Sequence, residues 1–64
     1  MIMAWVAVDI DDYEYIFSSQ PTRDKDGFLE YDCECVQLPY GSIEKLIGYE
    51  LDYLDEPVEL KAAY

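Results

Sequence analysis

Within Phe28 to Leu38 the chain alternates from Leu29 to Cys35: Leu29, Tyr31, Cys33 and Cys35 are separated by Glu30, Asp32 and Glu34. A period of two is the spacing of side chains that share one face of a strand, so this segment predicts a strand with one buried and one acidic face. After Cys35 the phase changes, because Val36 and Leu38 are apolar and Gln37 is polar. A bulge near Cys35, or a change in the element covering the strand, accounts for that switch. A chain with this signal at its centre is committed to sheet, and a sheet needs further strands and a cover.

Other segments supply both. Ala4 to Val8 is apolar in both phases, with Ala4, Val6 and Val8 on one side and Trp5 and Ala7 on the other. That pattern predicts a central strand covered on two faces. Asp9 to Asp12 reads as a polar turn leading into Tyr13–Phe17, which completes a hairpin. Ser18 to Gly27 (SSQPTRDKDG) is the longest loop and holds Arg23 and Lys25. Ser42 as N-cap and Gly48 as C′ residue enclose a short helix with Ile43, Leu46 and Ile47 on one face. Tyr49 to Leu54 alternates again, Asp55-Glu56-Pro57 turns, and Val58 and Leu60 form a last short strand before a loose tail, Lys61 to Tyr64. The predicted architecture is a single small α+β domain over residues 1–64. It has an antiparallel sheet of four or five strands and one short helix near residues 42–47.

A chain of 64 residues buries only about 60% of its unfolded surface, and small domains usually need a disulfide, a metal or another chain. On one strand face the Cα atoms of Cys33 and Cys35 would lie about 6.6 Å apart with parallel side chains, a poor geometry for a disulfide. Both read as reduced, buried, small apolar residues. With no His and no third Cys there is no zinc set, and C-x-C is not the C-x-x-C of redox pairs. Self-association is the remaining route to added stability. The apolar start, Met1 to Ile10, has no basic residue and so does not read as a secretory signal. It is also far short of the roughly 20 residues that cross a bilayer. A soluble, cytoplasmic protein without a membrane partner is expected.

The chain carries fifteen acids and four cations, a formal charge of −11. Direct binding of nucleic acid or an anionic membrane needs clustered Lys and Arg, and is excluded on that ground. Asp24-Lys25-Asp26-Gly27 begins like a calcium loop, but Phe28, Leu29 and Cys35 stand where the motif requires Asp or Asn, Gly and Glu. The cluster Asp9, Asp11, Asp12 and Glu14 reads as a solvated turn. No pair of carboxylates is singled out as acid and base. Ser18, Ser19 and Ser42 have no His to activate them, and no Gly-rich phosphate loop is present. A non-enzyme without cofactor or metal is expected.

What remains is the placement of the acids. Glu30, Asp32 and Glu34 would form one outward row and Glu50 and Asp52 another, at about 6.6 Å per step, comparable to the spacing of backbone phosphates in nucleic acid. Such a face suits a basic, nucleic-acid-binding surface of another protein; alternatively the charge only keeps a small Tyr-rich chain soluble. Tyr13, Tyr15, Tyr31, Tyr49 and Tyr53 fall on the apolar phase and read as sheet residues, leaving Tyr40 and Tyr64 as interface candidates. The candidate partner-binding set is Glu30, Asp32, Glu34, Tyr40, Glu50 and Asp52.

The order Trp5-x-Ala7-x-Asp9, Tyr15-x-Phe17, Pro21-x-Arg23, Gly27-Phe28 and the closing Asp55-Glu56-Pro57-Val58-Glu59-Leu60 resembles a group of small phage- and prophage-encoded proteins of intestinal bacteria, with no assigned activity. The sequence departs from that pattern at Val8, where a basic residue is common, and at Asp12, where Gly is common. The resemblance carries over no functional residue. It implies a context, since small phage proteins without enzymatic motifs often inhibit host or defence proteins. The expected function is therefore a non-catalytic acidic protein-binding module, of phage-inhibitor type, in the host cytoplasm. The alternatives are a homo-oligomer whose edges pair between subunits, with a small-molecule pocket lined by Tyr and Trp, and a phage accessory protein.

Overall fold

The computed structural model describes residues 3–61. In chain order the elements are β1 (Met3–Val8), β2 (Glu14–Phe17), β3 (Thr22–Arg23), β4 (Leu29–Glu30), β5 (Cys35–Leu38), α1 (Ser42–Ile47) and β6 (Val58–Lys61). A four-stranded sheet has the order β5-β2-β1-β6 and a two-stranded sheet pairs β3 with β4. All pairings are antiparallel. This is the small α+β fold that the pattern predicts.

β1 is the central strand because both of its faces are apolar. Val6 and Ala7 are each fully buried, one on each face. On one face Val6 and Val8 join Ile16, Leu38, Val58 and Leu60 beneath Ile43 and Ile47 of α1 and Leu51 and Tyr53 of the following segment. On the other, Ala7 and Phe17 join Trp5, Tyr15 and Cys35 against Leu29 and Cys33. The sheet is thus the middle of three layers, between helix and hairpin. Burying a side chain such as Phe17 or Val6 contributes about 1.5–3 kcal/mol, and two such faces give a short chain its core.

The Phe28–Leu38 segment is not one strand. Leu29, Cys33 and Cys35 are more buried than the acids between them, but Tyr31 is exposed and breaks the alternation, and Leu29–Glu30 pairs with β3 while Cys35–Leu38 pairs with β2. The residues between them carry the chain from beneath the sheet to its edge. Apart from Tyr31 the alternation spans both strands because Leu29, Cys33 and Cys35 all fill the same layer. The switch after Cys35 is a change of cover: pairing from Cys35 to Leu38 runs without a bulge, with Leu38 under the helix and Cys35 under the hairpin.

Tyr49–Leu54 is not a strand either. Asp52 Oδ1 accepts the N–H of Leu54 (2.7 Å), Asp55 Oδ2 accepts the N–H of Asp52 (2.8 Å), and the N–H of Asp55 donates to the carbonyl of Asp52 (3.0 Å). These short polar side chains offer the backbone a turn in place of a ladder. The helix spans the predicted residues, but its N-cap is Gly41 (φ 90°) rather than Ser42, and Gly48 (φ 90°) closes it by donating to Glu44 O at 2.8 Å. Among the tyrosines assigned to the sheet, Tyr13, Tyr31 and Tyr49 are exposed. Tyr64 lies outside the described residues. Among the described residues no helix is long and apolar enough to cross a membrane.

Candidate functional site

The helix begins without a side-chain cap of its own. Glu14, at the start of β2, supplies one from a distance. Its Oε2 accepts the N–H of Gly41 at 2.7 Å and its Oε1 the N–H of Ile43 at 2.8 Å. The first turn of a helix leaves such N–H groups unpaired and carries partial positive charge, so a carboxylate there is bound twice over. Glu14 is only 9% exposed, and its hydrogen bonds are what make that burial tolerable.

Around this junction lies a cleft of about 260 Å³ bordered by Asp12, Glu14, Tyr40, Glu44, Glu50 and Asp52, with Val8, Ile43 and Leu51 at its base. Three of the six candidate residues, Tyr40, Glu50 and Asp52, therefore come together here. Tyr40 is 89% exposed, and Asp52 also holds the turn described above. Trp5 packs on the opposite face, against the hairpin layer, so the cleft is not the Tyr- and Trp-lined pocket of the alternative reading.

The other three candidates are elsewhere. Glu30, on β4, and Asp32 border a shallow depression of about 360 Å³ with Gln20, Thr22 and Tyr31. Glu34 directly precedes β5 and its carbonyl accepts the N–H of Ser18 at 3.0 Å. All three are exposed, but they do not form one strand row, and neither do Glu50 and Asp52, because the strands that would align them are absent. The acids face solvent in two groups on different sides of the molecule.

Arg23 is withdrawn from that surface. Its Nη1 donates to Gly27 O at 2.9 Å, and its Nη2 to Val8 O and Asp55 O, each at 3.0 Å. β6 begins opposite Val6, so the carbonyl of Val8 lies past the end of that ladder and the guanidinium takes the place of a strand. One side chain joins the β3–β4 hairpin, the end of β1 and the turn before β6. All three of these acceptors are backbone carbonyls.

Near the edge formed by β5, the ring of Phe17 meets Tyr31 edge-on at 5.0 Å. A hydrogen bond with the Cys35 thiol is the main cause that raises the Tyr31 pKa. Burial, then the charges of Asp11 and Asp9, raise that of Tyr15. Cys33 is shifted down by hydrogen bonding to Ser19, with burial opposing, while its thiol donates to Ser19 O at 3.8 Å. Both cysteines are free. Among the described residues no three or more Cys, Asp or Glu side chains are gathered so as to hold a metal.

The hydrogen-bond phase of β5 follows from one contact. Ser18 N–H donates to Glu34 O, so Ser18 and Glu34 are a hydrogen-bonded pair, and the register extends this to Ile16 with Val36 and Glu14 with Leu38. Cys35 and Gln37 then point their N–H and C=O groups away from β2. No strand among the described residues lies beyond them.

No protein-family model matches the chain, no curated protein matches it, and no solved structure matches it.

Proposed function

We propose that this chain is a non-catalytic protein-binding module whose ligand is a basic surface of another protein, and that it acts as a phage-type inhibitor by covering a nucleic-acid-binding site. The observation that carries the reading is a surface of predominantly one sign of charge. Most of the fifteen acids are exposed, against the exposed Lys25 and Lys45, and Arg23 is spent on backbone carbonyls. A field of one sign speeds association with a basic partner and disfavours other partners. Tyr40, almost fully exposed above an acidic cleft, has the chemistry of an interface anchor, since Tyr carries large contact area at low entropic cost. The phage context comes from the sequence resemblance.

The test is capture from bacterial lysate on the immobilised chain, with elution by a salt gradient and with duplex DNA as competitor. The reading expects captured protein to elute as salt rises and to be displaced by DNA. Capture that survives high salt and ignores DNA would refute it.

A further inference from the structure

We infer that the open edge of β5 is a docking strand, and that it takes an extended, cationic segment of the partner protein as a further strand of the sheet; the inference rests on the proposed protein-binding reading and names its site. Three observations carry it. First, Cys35 and Gln37 direct their backbone donors and acceptors outward, which is the template that a bound strand completes. Second, the two edges of the sheet differ. β6 carries Glu59, a charge of the kind that protects an edge, whereas β5 is Cys35-Val36-Gln37-Leu38 without a charge, in a chain of net −11. Third, the flanks of that edge have a definite chemistry. Val36 is 62% exposed, an uncovered apolar side chain on the helix side of the sheet. On the hairpin side, Tyr31 packs edge-on against Phe17, the register partner of Cys35, and the exposed acid Glu34 directly precedes the strand.

The segment that fits is therefore apolar on one alternate phase and cationic on the other. Charge complementarity selects it over a second copy of this chain, whose own acids would be brought against these.

The test uses a blocked peptide of alternating lysine and valine, and the same peptide N-methylated at alternate residues so that one hydrogen-bonding edge is lost. Binding is read by calorimetry and by amide exchange. The expected result is binding by the first peptide, about tenfold or greater loss on N-methylation, and slowed exchange at the amides of Cys35 and Gln37. Gln37→Pro removes an outward donor and leaves the ladder to β2 intact, and should weaken binding similarly, as should Val36→Lys by repulsion. Equal binding of both peptides, without protection at Cys35 and Gln37, overturns the docking strand and leaves the basic-partner reading standing. Binding of neither overturns both. Protection of those amides that rises with chain concentration alone identifies a second copy as the occupant and also overturns the inference.

Discussion

The carboxylate of Glu14, in the second strand, accepts the N–H of Ile43, in the helix, at 2.8 Å. This contact, with its twin to Gly41, fixes where the helix starts and therefore the wall of the acidic cleft. Glu14→Ala leaves two helical N–H groups without that acceptor and should cost about 2–3 kcal/mol of stability. Glu14→Gln keeps one acceptor oxygen and should cost about half as much. Denaturant unfolding of the two variants measures the difference.

Arg23 joins three segments through carbonyl oxygens. Lysine has the charge but not the fork, so Arg23→Lys should lose about 1–2 kcal/mol. Amide exchange should quicken in β3 and β4 and near Asp55 before it does in the central sheet. Uniform exchange across all elements would show that Arg23 is not the clip between them.

Gly27 sits at φ 98°, and a Cβ there would meet Ile10 Cδ1 at 3.1 Å, whereas Gly48, at φ 90°, has open space. Gly48→Ala should cost about 1 kcal/mol, from backbone conformation alone. Gly27→Ala should cost more, and shortening Ile10 to Val should recover the excess. Asp12 has φ 69°, so Asp12→Gly should be neutral or stabilising by up to about 1 kcal/mol.

Tyr15 and Tyr31 both have pKa values raised above 10.0 in the folded chain. A group raised on folding binds its proton more tightly in the native state, so its contribution is complete below the unfolded value. It is lost as pH rises through the folded one. Stability should therefore hold to about pH 10 and then fall. Tyr31→Phe should flatten that fall and remove an alkaline component from the phenolate absorbance titration.

Much of the fold is legible in the sequence. The two-sided apolar run of β1, the hairpin to β2 and the helix bounds at Ser42 and Ile47 follow from local pattern, because each is decided by side chains within a few residues. The breaks do not. Leu29, Cys33 and Cys35 alternate as in a single strand although β4 and β5 belong to different sheets, since burial period reports the layer faced and not the ladder joined. The turn at Asp52–Asp55 was foreshadowed only by two Asp residues three apart. Glu14 and Arg23 are illegible for a different reason. Their partners, Ile43 and the carbonyls of Val8 and Asp55, are distant in sequence, and nothing local distinguishes a capping carboxylate from a solvated one. The candidate site was half legible: Tyr40, Glu50 and Asp52 do meet around one cleft, while Glu30 and Asp32 meet around another depression.

The central claim is that this negative exterior is a binding surface for a basic partner. The direct measurement is the dissociation constant of the chain for a purified captured protein at low and at raised salt. The account predicts that affinity falls at least about tenfold when salt rises from roughly 50 to 200 mM, as screening shortens the reach of the surface charge. An affinity unchanged across that range would contradict it.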